Sequence, residues 1–214
     1  MEFVSLNAAD AGEGSRGWSE AGRPTVPSLL LDGQAHPILH VSQISQLLGL
    51  APPAAGSPGR DGASSLAILD AWLACAREAD WEALVQPTPS RGRTLRNLTV
   101  NVFHPFELLP AAWTSGEFPW RPEEDSAREA GFAGRAPLLA WATSAAGSWR
   151  SFLAREDLAS RDPVLTSPRA ETRFSALVSL QRWHAAYHYR QLVHVLEVGD
   201  GGLLDGLALP REVF

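Results

Sequence analysis

His184 and His188 stand four residues apart in the run Ala170 to Gly199. On a helix, residues at this spacing lie one above the other with Cβ atoms about 5–6 Å apart. Two imidazoles so placed can grip one metal ion, as H-x-x-x-H motifs do. Gln181 and Gln191 fall on nearly the same face, which makes a polar island inside the apolar stripe of Phe174, Leu177, Leu180, Leu192 and Val195. Spacing alone leaves a second reading open, in which one histidine is a hydrogen-bonded core residue and the other is half exposed. His104 is a further candidate. It follows Asn97 and Asn101 at four- and three-residue steps, so all three share a helical face. Taken alone, His104 could equally be a helix cap or a surface residue. Pro105 comes next, lacks a backbone N–H and disfavours α geometry at His104. A kink or a helix restart is expected there, and either would set His104 at a discontinuity.

Other side chains could serve the same chemistry. Asn101, Gln181 and Gln191 could orient a ligand, Glu107 could support a ligand or carry a proton, and Arg173, Arg182 and Arg190 could clasp a carboxylate. Each is also compatible with a solvated or packing role. Cys75 is the only cysteine, which excludes an intrachain disulfide and any C-x-x-C motif. With no base or helix start near it in sequence, it reads as an inert packed thiol.

These residues need long helices to position them. The chain has 214 residues, 45% hydrophobic and 20% charged, enough for one sizeable core and a small appendage. All 18 basic residues are Arg, and the net charge of −6 without a basic block gives nucleic acid no electrostatic footprint. No apolar run approaches the ~18 residues of a membrane span, and no signal peptide is evident, so a cytoplasmic protein without membrane association is expected. Helical periodicity predicts four long helices: Leu66–Val85, Thr94–Thr114, Ala136–Leu158 and Ala170–Gly199, with Ser64 and Ser65 as candidate caps for the first. Loops are expected at Gly116–Glu124 and Arg161–Arg169. Upstream, Met1–Asn7 could be a short strand and Ala8–Gly22 a loop or weak helix. Leu29–Leu31 reads as a buried strand ended by the Asp32-Gly33 hairpin signal, followed by a helix closing at Gly49. The Pro/Gly/Ser-rich stretch Ala51–Gly62 marks a boundary. The expected organisation is an α/β segment over 1–50, a linker over 51–63, a helical domain over 64–199 and a tail over 200–214.

Thr25-Val26-Pro27, then a strand, Asp32-Gly33 and a helix ending Leu47-Leu48-Gly49, resembles the second half of a glutaredoxin or of a glutathione-transferase thiol-binding domain. That resemblance implies a cis bond before Pro27 and a backbone at Val26 that pairs with a peptide-like thiol. It also implies a thioredoxin-like α/β fragment without its first strand or redox cysteine. The exposed sheet edge this would leave suggests a homodimer. The four helices, with one histidine on the second and H-x-x-x-H on the fourth, resemble the DinB/YfiT-like superfamily. Arg182-Trp183-His184 through His188-Tyr189-Arg190-Gln191-Leu192 shares its look, while Pro105 departs from it. This second resemblance implies a mainly α fold, a four-helix bundle, with His104, His184 and His188 as ligands of a divalent metal (Zn, Ni or Fe). It further implies mycothiol or glutathione as cosubstrate, and a transferase or isomerase acting on an electrophilic small molecule in secondary metabolism or detoxification. Asn101, Gln181, Val26 and Pro27 would then contact thiol or substrate. A non-catalytic binding protein and a metal-free structural protein are the competing expectations.

Overall fold

The computed structural model describes residues 12–20, 22, 28–37, 41–50, 57–88, 93–168, 171–199, 202–203 and 205. The strand expected at Met1–Asn7, the Thr25-Val26-Pro27 segment, residues 51–56 of the linker and most of the tail lie outside them. The chain divides into two compact units, Met1–Ala55 and Gly56–Val213. The described residues are mainly helical, with two small two-stranded sheets among them.

In the first unit, helix α1 spans Glu13–Glu20, where a loop or weak helix is expected. Strands β1 (Ser28–Leu31) and β2 (Gln34–Pro37) pair antiparallel, with Leu31 opposite Gln34. Asp32 and Gly33 join them with φ of 50° and 78°, the doubly left-handed geometry of a two-residue hairpin. The strand is not buried as its leucines suggest, since Leu30 is 53% exposed. Helix α2 follows at Val41–Leu47.

The second unit starts earlier than its periodicity indicates. Helix α3 spans Pro58–Glu78, capped by Ser57, whose hydroxyl accepts from the Arg60 N–H. Pro58 occupies the helix start, where its missing N–H costs nothing, so residues 58–63 are helix rather than linker. A break at Ala79-Asp80 separates α3 from the short α4, Trp81–Val85. Helix α5 covers Leu95–Ser115 and runs unbroken through Pro105 and Pro110. An interior proline costs about 3 kcal/mol. Here Val102, Phe103, Phe106, Leu109 and Trp113 are nearly fully buried along the same helix, and each such side chain returns roughly 1.5–3 kcal/mol. Packing therefore outweighs the local penalty, and no restart interrupts the helix at Pro105.

Helix α6 (Asp125–Ala130) follows a 3₁₀ turn at Pro122–Glu124, and α7 covers Arg135–Leu153. The third expected helix ends five residues early; Glu156–Ala159 is a separate 3₁₀ turn. The loop around residue 165 contains strand β3 (Val164–Thr166), which pairs with β4 (Glu171–Arg173) before α8 runs from Phe174 to Val195. Asp162 fixes the start of α8 by accepting from the Ser175 N–H and the Ser175 hydroxyl, both at 2.8 Å, with negative charge at the helix end that favours it. Helices α3, α5, α7 and α8 enclose one core: α3 packs on α7 and α8, and α5 on the same two. Trp72, Trp113, Trp149, Phe103, Phe106 and Phe174 are its largest members. Among the described residues no helix is long and apolar enough to cross a membrane.

Candidate functional site

Within this apolar core, α5, α6 and α8 share a line of polar side chains. Asp125, at the first position of α6, has no exposure to solvent. Its Oδ1 accepts from His104 Nδ1 at 2.8 Å and its Oδ2 from Asn101 Nδ2 at 2.7 Å. Asn101 Oδ1 in turn lies 3.0 Å from His184 Nε2. One turn on from His184, His188 Nδ1 lies 2.6 Å from Gln191 Oε1, and the His184 and His188 rings meet edge to face with centroids 4.7 Å apart.

The carboxylate dictates the direction of each bond. Asp125 can only accept, so Asn101 must turn its NH2 toward it and its carbonyl toward His184. His184 then carries its proton on Nε2, while His104 carries its own on Nδ1. One buried acid thereby orients two histidines on two helices, and in a neutral His104 the acceptor nitrogen is Nε2. A histidine whose far nitrogen is held by a carboxylate or carbonyl is the usual form of a metal-ligating or proton-moving imidazole.

Glu129, one turn after Asp125, anchors the start of α5 in the same way. It accepts from the Thr94 hydroxyl at 2.8 Å, Arg96 Nε at 2.7 Å and Asn97 Nδ2 at 2.8 Å. Burial alone would push its carboxyl up. Hydrogen bonds from Arg96, Thr94 and Asn97, with the Arg96 charge, outweigh that and hold it below its ordinary value. The two acids of α6 thus serve successive turns of α5.

Against His184 sits Trp120, its ring centroid 5.4 Å away. Its position follows from backbone pairing: the Phe118 N–H bonds to Thr166 O at 2.8 Å and the Thr166 N–H to Gly116 O at 2.9 Å. The segment leaving α5 is so pinned to β3, close to the start of α8. Gln181, one turn before His184 on the same face, is 1% exposed, and its Oε1 has no hydrogen-bond partner among the described residues.

The structure joins His104 to Asn101 through Asp125, Asn101 to His184 directly, and His184 to His188 by ring contact. Val26 and Pro27 lie outside the described residues. Glu107 faces elsewhere, accepting from Trp141 Nε1 at 2.9 Å and from Arg128. Arg182 stands 4.0 Å from buried Asp61, and Arg173 is an exposed partner of Asp162. Half-buried Cys75 touches the Tyr189 hydroxyl, Sγ to Oη 3.9 Å. Asp125 and Glu129 are absent from the sequence-derived candidates. Their signal is an acid pair at i, i+4 in Asp125-Ser126-Ala127-Arg128-Glu129, matching in spacing the polar face of α5.

The donor chemistry suits a divalent cation: neutral imidazoles, held in tautomer by oxygen partners, bind Zn, Ni or Fe. Among the described residues, no group of three or more His, Cys, Asp or Glu side chains is gathered closely enough to hold an ion. Bringing His104, His184 and His188 onto one metal therefore requires side-chain rotation from this arrangement. No family model, curated protein or solved structure matches the chain.

Proposed function

We propose that the protein is a metal-dependent, thiol-linked transferase or isomerase acting on an electrophilic small molecule, built on a DinB/YfiT-like four-helix bundle. His104, His184 and His188 would hold a Zn, Ni or Fe ion. The observation that carries this reading is the set of three hydrogen bonds that link buried Asp125 to His104 directly and to His184 through Asn101. A satisfied core histidine needs no such shared carboxylate, whereas a ligand set gains basicity and orientation from one. When bound, the metal offers an open position at which a thiol is held as thiolate or a carbonyl is polarised. The chain's own part is to fix the rings through Asp125, Asn101 and Gln191, and to cover His184 with Trp120.

The proposal includes mycothiol or glutathione as cosubstrate, contacted by Val26 and Pro27 on a thioredoxin-like fragment, and a cytoplasmic setting. It also includes a homodimer formed through the N-terminal hairpin. That hairpin has two strands, too few to be stable unaided.

A second reading, a non-catalytic metal or small-molecule binder, draws on Glu107. That carboxylate lies one turn from His104 yet is occupied by Arg128 and Trp141, and so is not at hand as a proton carrier. The test is consumption of 1-chloro-2,4-dinitrobenzene or another electrophile by the zinc-loaded protein with either thiol. Turnover that requires both metal and thiol, and disappears in His188→Ala, is expected. Metal binding without thiol-dependent turnover of any electrophile would favour the binder.

A further inference from the structure

We infer that Gln181 and Trp120 form a subsite beside His184 for a ligand carrying a carboxamide. The two residues flank this histidine from different elements: Gln181 from one turn earlier on α8, Trp120 from the segment pinned to β3, with its ring against the imidazole. Gln181 Oε1 and Trp120 Nε1 are both buried, and among the described residues neither has a hydrogen-bond partner. Buried polar atoms are almost always paired, because an unmade bond forfeits the group's hydration without return. Two such atoms beside one histidine mark a place prepared for something that supplies the missing partners.

Their chemistry narrows what that is. An indole can only donate, so Trp120 needs an acceptor. Gln181 needs an N–H donor for Oε1, or an acceptor if its amide is turned over. A carboxamide has both a carbonyl and an N–H, and so satisfies Trp120 together with either orientation of Gln181. A carboxylate offers acceptors alone, and it would approach the chain that links His184 to buried Asp125. An alkyl group satisfies neither atom. The subsite rests on the proposed function for its setting: the ligand is a thiol with an amide near its sulfur, the amide held here while the sulfur lies at the histidines.

The test reads the subsite apart from the metal. The Trp120 indole N–H resonance, assigned by its loss in Trp120→Phe, is followed by NMR during titration with N-acetylglycinamide (no added metal) and with N-acetylcysteinamide (zinc-loaded protein). Saturable shifts of that resonance with both probes are expected, with affinity reduced roughly tenfold in Gln181→Leu, the scale of one lost hydrogen bond. The thermal midpoint of Gln181→Leu is expected to equal or exceed that of the parent, since an unpaired buried amide is removed. If the resonance ignores both amides, or shifts with unchanged affinity in Gln181→Leu, buried water satisfies these atoms and the inference is overturned. Titrating zinc-loaded protein with 2-mercaptoethanol, a thiol without an amide, measures the metal–thiol reading separately. Its failure to bind would count against that reading and leave the N-acetylglycinamide result to decide the subsite.

Discussion

Asp125 holds two donors inside the core, so its removal has separable costs. Asp125→Ala leaves His104 Nδ1–H and the Asn101 amide without an acceptor. Each buried orphan costs about 1–3 kcal/mol, and a loss of roughly 2–6 kcal/mol is expected by urea unfolding. Asp125→Asn keeps the shape and one acceptor, and should cost less. Its characteristic effect is on tautomers: nitrogen-15 shifts of His104 and His184 should change together, although only His104 touches residue 125. A change confined to His104 would show that Asn101 does not relay the orientation.

At this scale the sequence was informative about every member of the polar line except Asp125. His104, Asn101, His184 and Gln191 stood out because polar residues recur at helical spacing among leucines and alanines. The acceptor shared by His104 and Asn101 did not, because a single aspartate in an acid-rich turn looks solvated until the fold places it against α5. Glu107 shows the converse. Its spacing from His104 suggests a shared site, yet Trp141 of α7 and Arg128 of α6 claim it, and neither is near it in sequence.

Helix α6 is only six residues long, and its hold on α5 is electrostatic as much as apolar. Glu129 is a group through which pH acts on it. Its folded-state pKa is depressed, so its stabilising contribution is present above the ordinary carboxylate value of 4.5 and is lost as pH falls through the lowered folded value. The difference in unfolding free energy between the parent protein and Glu129→Gln should accordingly be larger at pH 7 than at pH 3. An unchanged difference would mean that the carboxylate charge does not matter to the α5–α6 contact.

A second element contact depends on size. A Cβ on Gly62 of α3 would stand 2.4 Å from Leu153 Cδ2 and 3.2 Å from Trp149 Cζ2 of α7. In Gly62→Ala, the helix gains about 1 kcal/mol of propensity while the flexible tip of Leu153 gives way, so little net change is expected. Gly62→Val adds bulk against the Trp149 ring and should lose about 1–3 kcal/mol in urea unfolding. Equal stability of the two variants would mean that α3 and α7 separate freely at this point.

Helix existence was legible from apolar periodicity, but boundaries were not. Pro58 resembles linker composition, yet a proline is welcome at a helix start, and the Ser57 cap completes it. Pro105 resembles a break, yet with buried aromatic residues around it α5 stays continuous. The β3–β4 hairpin was missed because three-residue strands carry too few side chains to show a period of two.

Across the whole molecule, the second unit presents histidines from α5 and α8 to one polar island, with α6 as the strut between chemistry and scaffold. The core around it belongs to α3 and α7 as well, so removing an imidazole should leave the apolar packing in place. In the first unit the hairpin turn is as its sequence indicates, because Asp32-Gly33 encodes it locally. The homodimer proposed for that unit should appear as a dimer in sedimentation at tens of micromolar, and a monomer there would reject it.

Zinc titration of the metal-free protein, with bound metal counted by elemental analysis, tests the histidine site most directly. One ion per chain is expected, lost in His104→Ala, His184→Ala and His188→Ala while the helical circular dichroism of each variant persists. Absence of bound Zn, Ni or Fe in the folded parent protein, or stoichiometric binding that survives all three substitutions, would contradict a metal held by these residues.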